Sequence, residues 1–352
     1  MKVCFVPTYN PNYARIQVFK KGLKLNDVEL IDCSSKLKSP LKYLDIFFKF
    51  LRYKSKSDII LVGFFGQPLM PLIKLFTRKK IVFDAFISSY NTLVEDKKTV
   101  KKDSIKSKFL FWLDSYSCKL ADIVILDTTE HINYFCNTFK LKKEKFRRVF
   151  IGADEDYFNL RKKKKENDKF KVEFHGKFIP LQGTEYIIRA AKLLEKEEIE
   201  FIMIGNGQTF DKDFLLAKRI NVNNINFLGF QPLKVIAEEI STSDVCLGVL
   251  GKSNKAGYVI PNKAYEVLAM GKPLIVADSE ASKELLKHKE SAYFCERANP
   301  QAIAEAILDL KNNPKLKEKI GNNGYKIFKE KCSMKVIGEQ LKEILKNTLN
   351  SK

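Results

Sequence analysis

Short apolar runs alternate along this chain with longer stretches whose apolar positions recur every three or four residues. In the first half the runs are "KVCFVP", "VELIDC", "DIILVGF", "KKIVFDAF", "ADIVILDT" and "FRRVFIG"; in the second they are "KVEFHG", "EFIMIGNG", "INFLGF", "SDVCLGVL", "KPLIVAD" and "SAYFCE". Their length and near-continuous apolarity predict strands buried on both faces. Between them lie helical segments such as "TEYIIRAAKLLEKE" and "PQAIAEAILDLKNN". Strand–helix alternation predicts parallel sheets with helices on both faces. The charged, aperiodic stretch "NLRKKKKENDK" separates the two halves and reads as a solvated linker. The fold class is therefore α/β: two doubly wound, Rossmann-like domains, 1–165 and 166–330, with a cleft between them. Residues 331–352 form a C-terminal helix expected to pack back on the first domain. In such sheets ligands bind beyond the carboxyl ends of the strands.

Charge narrows the partners. The net charge is +21 over 352 residues. Residues 1–165 hold 34 Lys+Arg and 17 Asp+Glu, net +17; residues 166–352 hold 29 and 25, net +4. The excess in the first half suits an anionic partner, either nucleic acid or an anionic membrane surface. No zinc-finger spacing or RNA-recognition signature is present, so nucleic acid is not expected. The seven scattered cysteines, without a CxxC, fit reduced thiols in a cytoplasmic protein, and no metal-ligand spacing appears. No apolar run is long enough to span a membrane, and the start reads as a strand.

The stretch "VIPNKAYEVLAMGKPLIVAD" (259–278) carries the most specific chemistry. It predicts a helix opening at Asn262, with Lys263 in its first turn and Glu266 one turn on. A helix N-terminus offers unpaired N–H groups and partial positive charge to a phosphate, and Lys263 adds a full charge. A carboxylate can accept two hydrogen bonds from a ribose diol. A nucleoside diphosphate fits this pattern; a solvated glutamate and a surface lysine would satisfy it too.

This stretch resembles the nucleotide-sugar site of family-4 retaining glycosyltransferases, which have the two-domain GT-B fold. "VEFHGKFIPLQGTEYIIRAAKLL", "FIMIGNGQ", "INFLGFQP" and "SDVCLGVLGKSNKAGYVIPNK" resemble the family's donor domain, and "ADIVILDTTEHINYF" and "VFIGADEDYF" the closing elements of its acceptor domain. The resemblance implies sugar transfer, with retention, from a UDP- or GDP-sugar to a glycan or lipid-linked hydroxyl in cell-surface polysaccharide or glycolipid synthesis. It implies no metal or other cofactor. By position, Glu266, Lys263 and Lys177 take the catalytic roles. Gly176, Gly183, Gly205, Asn262, Lys263 and Glu266 contact the donor, with Glu266 on the ribose and Lys263 and the backbone near Gly176 and Gly183 facing the diphosphate.

Three positions depart from the family pattern. Tyr258 stands where many members have a first glutamate, eight residues before Glu266. Of the arginine and lysine usual in the glycine-rich loop, the first falls on Lys177 and the second on uncharged Gln182, so Lys252, Lys255 or Lys263 is expected to substitute. Phe86 stands near the usual first-domain histidine, leaving Asp84, Ser88, Ser89 and Asn91 as acceptor-side candidates. His175 and His131 are expected to be packed or hydrogen-bonded, and Asp127 and Thr128 to end a strand and cap a helix.

Two basic stretches, 40–56 and 97–120, carry apolar and aromatic residues at helical spacing, including Trp112. Such helices either lie in a membrane interface or pack on their own sheet. The charge excess favours the first, placing the protein peripherally on the inner face of the membrane. The alternatives are the same chemistry on a soluble small-molecule acceptor, or a non-catalytic protein that binds polyanions.

Overall fold

All twelve apolar runs are strands, six in each of two fully parallel sheets. The computed structural model describes residues 1–37, 40–160 and 169–351. These form two units, Met1–Gly152 with Met334–Lys352, and Ala153–Ser333. The basic run 161–165 lies outside the described residues.

The first unit runs β1 (Lys2–Val6), α1 (Ala14–Leu25), β2 (Glu29–Asp32), α2 (Leu41–Tyr53), β3 (Ile59–Val62), α3 (Met70–Leu75), β4 (Ile81–Asp84), α4 (Ile105–Leu120), β5 (Ile123–Leu126), α5 (Thr129–Phe139) and β6 (Phe146–Arg148). A turn of π-helix, Asn91–Asp96, precedes α4. The second unit runs β7 (Phe170–His175), α6 (Thr184–Leu193), β8 (Ile199–Ile204), α7 (Phe210–Arg219), β9 (Ile225–Gly229), α8 (Leu233–Thr242), β10 (Val245–Leu247), α9 (Asn262–Ala269), β11 (Leu274–Ala277), α10 (Glu280–Lys283), β12 (Tyr293–Cys295), α11 (Pro300–Asn312) and α12 (Pro314–Lys331). The last helix, α13 (Met334–Asn350), belongs to the first unit.

Central strands are apolar on both faces because helices cover both: every residue of β3, β4 and β11 is buried. The outer strands β2 and β9 are more exposed, which leaves their edges polar. Strand order is β2-β1-β3-β4-β5-β6 in the first sheet and β12-β11-β10-β7-β8-β9 in the second. The second order reverses direction between β7 and β10, and a doubly wound sheet opens a ligand crevice at the carboxyl ends beside such a reversal. The residues that follow β7 and β10 are the glycine-rich loop and the turn leading to α9.

Asp244 fixes the start of this region. Its Oδ2 accepts from the Lys171 backbone N–H and its Oδ1 from Lys317 Nζ, both at 2.9 Å. In the first unit, α13 presents Ile337, Leu341 and Leu345 at four-residue spacing as its buried stripe. It crosses α1 where two glycines meet. A Cβ on Gly338 would lie 2.0 Å from the Gly22 carbonyl oxygen, and one on Gly22 would lie 2.4 Å from the Met334 carbonyl oxygen. Lys342 Nζ donates to the Asn26 carbonyl at 2.6 Å, and Asn26 Nδ2 to the Lys335 carbonyl at 2.9 Å.

Alanine in a helix interior normally gains about 1 kcal/mol over glycine. Here the clash is with backbone, so Gly338→Ala is expected to destabilise the protein by about 1–3 kcal/mol. Urea unfolding of the two proteins measures the sign, and a raised midpoint for the variant would show the crossing to be loose.

Candidate functional site

Beyond β7 the backbone can take its course only as glycine. Gly176 (φ +146°), Gly183 (φ +72°) and Gly205 (φ +132°) occupy conformations that side chains rarely adopt. A Cβ on Gly205 would sit 1.9 Å from the Gly176 carbonyl oxygen, and one on Gly183 would sit 2.6 Å from the Gly251 nitrogen. The ends of β7 and β8 therefore touch, and the 176–183 loop is stitched to the end of β10 by Leu250 N–H to Gln182 O and Gly251 N–H to Leu181 O. At the start of α6, Thr184 donates to the buried Asp213, which also accepts from Thr209.

Helix α9 points its N-terminus at this loop. Pro261 precedes it and no side chain caps it; the Ala264 N–H turns back to the Pro261 carbonyl at 3.0 Å. Lys263 and Glu266 are both buried, at 4% and 6% exposed, which excludes a solvated glutamate and a surface lysine. Lys263 Nζ lies 3.4 Å from the centre of the Phe174 ring and makes no hydrogen bond among the described residues. A Cβ on Gly176 would meet this Nζ at 3.0 Å; the glycine leaves the space beside the amine. Burial pushes the Lys263 pKa well below the usual lysine range, against the pull of Glu173 and Glu266.

The last residue of β7, His175, joins these groups. Its Nε2 lies 2.7 Å from Glu266 Oε2 and its Nδ1 2.8 Å from Glu173 Oε1. Burial alone would lower its pKa; the two carboxylates outweigh that and lift it to about 9. The expectation that His175 is hydrogen-bonded holds, but its partners make it part of the site. Glu173, in the middle of β7 and fully buried, was not singled out in the sequence. A lone glutamate inside an apolar strand was the available signal.

Gly176, Gly183, Gly205, Asn262, Lys263 and Glu266 thus gather around the carboxyl ends of β7 and β8 and the start of α9. Lys177 is exposed beside Gly176. Gln182 is buried, and its Oε1 makes no hydrogen bond among the described residues. Of the three proposed substitutes for the missing loop cation, Lys263 reaches Gly176, Lys255 is buried in the turn before α9, and Lys252 is exposed on the turn after β10.

The first-unit candidates are committed to internal bonds. Asp84 ends β4, and Arg15 Nε and Nη2 donate to its carboxylate at 2.8–3.0 Å. The Arg15 guanidinium lies between the Phe19 and Phe86 rings, 4.6 Å from each centre. Ser88 donates to Asp114 at 2.7 Å, and Asn91 Nδ2 donates to Glu95 at 2.6 Å. Asp114, which burial lifts to about 6, also accepts from the backbone of Ser89 and Tyr90 and from Gln67. These residues shape the loop after β4. His131 lies 2.6 Å from Asp127, and Thr128 caps α5.

A pair of six-stranded, fully parallel sheets, each followed at its carboxyl ends by loops, is the architecture of the GT-B glycosyltransferases. Anabaena Alr3699/HepE in complex with UDP-glucose shares this fold at a TM-score of 0.74, with 15% identity, over 99% of this chain and 100% of that one. The family model for glycosyl transferases group 1 matches residues 140–327, and the chain belongs to that family; it is a glycosyltransferase. It is 24% identical over 326 residues to the uncharacterized glycosyltransferase MJ1069 of Methanocaldococcus jannaschii, covering 88% of this chain and 80% of that protein. It is also 24% identical over 210 residues to the capsular polysaccharide biosynthesis glycosyltransferase CapM of Staphylococcus aureus, covering 57% of this chain and 51% of CapM.

An amine buried without an acceptor costs stability that a ligand can return. Lys263→Met is therefore expected to stabilise the ligand-free protein by about 1–3 kcal/mol. Thermal unfolding without ligand is the check; a loss of stability would mean that Lys263 already balances Glu173 and Glu266.

Proposed function

We propose that the protein transfers a sugar, with retention at the anomeric carbon, from a UDP-sugar to a hydroxyl of a glycan or lipid-linked acceptor. The observation that carries the donor half is the unpaired Lys263 amine beside Gly176, with Glu266 one turn further along the same helix. An anion at Gly176 would meet the amine, the helix N-terminus and exposed Lys177. As the bond from the sugar to the diphosphate breaks, negative charge grows on the diphosphate, and donors already in place, the Lys263 amine and the Lys177 cation among them, lower its energy. This arrangement needs no metal. Alr3699/HepE, which shares the fold, binds UDP and UDP-glucose, and these are the first donors to try.

The acceptor half rests on the surface of the first unit. Helix α4 starts only at Ile105, capped by Ser104. Its buried face is Leu110, Leu113, Asp114 and Cys118. Its outer face carries Ile105 (90% exposed), Phe109 (53%) and Trp112 (50%), followed by Tyr116 stacked on Trp112 at 5.0 Å. Exposed Lys101, Lys102, Lys106 and Lys108 surround this stripe. On α2, Leu41, Leu44 and Phe48 are likewise exposed, while Ile46 and Phe50 fill the core. Both helices bury one face within the first unit and still present a second apolar face. Rings and aliphatic chains ringed by lysines suit an anionic lipid interface, each cation adding about 1 kcal/mol near the surface. No helix among the described residues is long and apolar enough to cross a membrane. The reading is peripheral attachment to the inner face and a lipid-linked acceptor; CapM, by its name, acts in capsular polysaccharide synthesis.

Calorimetry with UDP and UDP-glucose in excess chelator is expected to show binding, and Glu266→Ala to weaken it by about 2–4 kcal/mol. Binding abolished by the chelator counts against metal independence. Undiminished affinity in the variant makes Glu266 structural. In flotation with anionic vesicles, the protein should bind at low salt, release at high salt and be lost from vesicles in an Ile105→Ser, Phe109→Ser, Trp112→Ser variant. Equal recovery with neutral and anionic vesicles favours the soluble acceptor.

A further inference from the structure

His175 has a carboxylate oxygen on each side of its ring, at 2.8 Å from Nδ1 and 2.7 Å from Nε2. A neutral imidazole carries one N–H and one lone pair, so in this setting it would press a lone pair against an ionised oxygen. The imidazolium donates to both. The groups around it fit that charge. Glu173 comes from its own strand, and Glu266 and Lys263 come from α9. From β10 comes Cys246, paired in register with Glu173, its thiol held protonated by burial. From β8, the residue opposite His175 is the apolar Ile204. Glu173, Glu266 and Lys263 thus meet His175 in a buried pocket, and an imidazolium, with one N–H for each carboxylate oxygen, is the form this geometry matches. His175 also engages only Oε2 of Glu266; Oε1 makes no hydrogen bond among the described residues.

Building on the donor reading above, we propose that His175 is a positioning residue. Clamped as an imidazolium between Glu173 and Glu266, it holds the Glu266 carboxylate by one oxygen and presents the other to the ribose hydroxyls of the donor. Donor affinity then depends on a proton that the donor never touches. His175 lies outside the pattern of glutamates and loop cations used to recognise the donor site in the sequence, and its action passes entirely through Glu266.

The chain has three histidines, so nitrogen-15 imidazole signals can be assigned by single substitutions. In the unliganded protein His175 should give an imidazolium spectrum at pH 7.5 and lose it as pH rises through about 9. UDP is the probe ligand; its phosphates no longer titrate in this range but its uracil N3–H does, so the affinity midpoint is taken from the difference between the unmodified protein and the His175→Gln variant. Its dissociation constant should rise by up to about tenfold per pH unit above the His175 midpoint. Glu173→Gln keeps an acceptor near Nδ1 and removes one negative charge, so it should move the spectroscopic midpoint and the affinity midpoint to lower pH together. His175→Gln should weaken UDP at pH 7.5 and remove the affinity midpoint seen in the unmodified protein.

A neutral His175 at pH 7.5 overturns the clamp. So does a Glu173→Gln variant whose spectroscopic midpoint moves while its UDP midpoint stays. If the unmodified chain binds UDP at no pH, the donor reading fails and the positioning role with it, while the imidazole spectrum still decides whether the charge clamp exists.

Discussion

An amine sealed inside a protein without an acceptor is among the most costly placements a side chain can have, and the second unit is arranged around one. Lys263 reaches its position because Phe174 offers a ring face 3.4 Å away and Gly176 has no side chain to fill the space beside it. The buried carboxylates Glu173 and Glu266 lie close enough to oppose its loss of charge. His175 lies hydrogen-bonded between them. Glycines 183 and 205 let the loop and the neighbouring strand close over the same point. On the donor reading proposed above, the anion that would repay the burial of this amine is the donor's diphosphate.

The first unit meets the same problem with the opposite solution. Arg15 is as deeply buried as Lys263, also at the carboxyl end of a parallel sheet and also against aromatic rings. Its guanidinium is consumed by Asp84 through a two-point contact and by the Val149 carbonyl. Arginine suits this use because its planar fork matches a carboxylate, whereas a lysine amine is a point charge that a phosphate can claim. A closed ion pair leaves no charge for a ligand to claim, whereas an open amine does. On the donor reading proposed above, this difference separates the scaffold of one unit from the chemistry of the other.

The contrast also marks what the sequence could tell. Parallel strands buried on both faces write themselves as continuous apolar runs, so all twelve strands were legible. Glu266, Lys263 and the glycines were legible because helix starts and tight turns restrict residue type locally. What joins them was not. His175 and Glu266 are 91 positions apart, and Arg15 and Asp84 are 69 apart. Pairings at that range leave no periodicity, so neither the Arg15 partner of Asp84 nor the Glu266 partner of His175 could be read from the sequence. Helix α4 was ambiguous for another reason. Its apolar residues exceed one face, and only packing decides which of them are buried.

That excess on α4 has its own logic. Leu110 is buried against Val94 and Val100, and Leu113 is buried too, leaving Ile105, Phe109 and Trp112 outward. An exposed stripe of this kind invites association, and a second copy of the chain is the nearest partner at hand. The lysines that border the stripe argue against that partner. Two copies meeting face to face would bring their cations together in a poorly solvated rim, and like charges there repel. An anionic surface reverses the sign of the same term. A charge that discourages self-association while favouring lipid would select the partner without any pocket to recognise it, and would place the net +17 of the first half where it lowers rather than raises the energy.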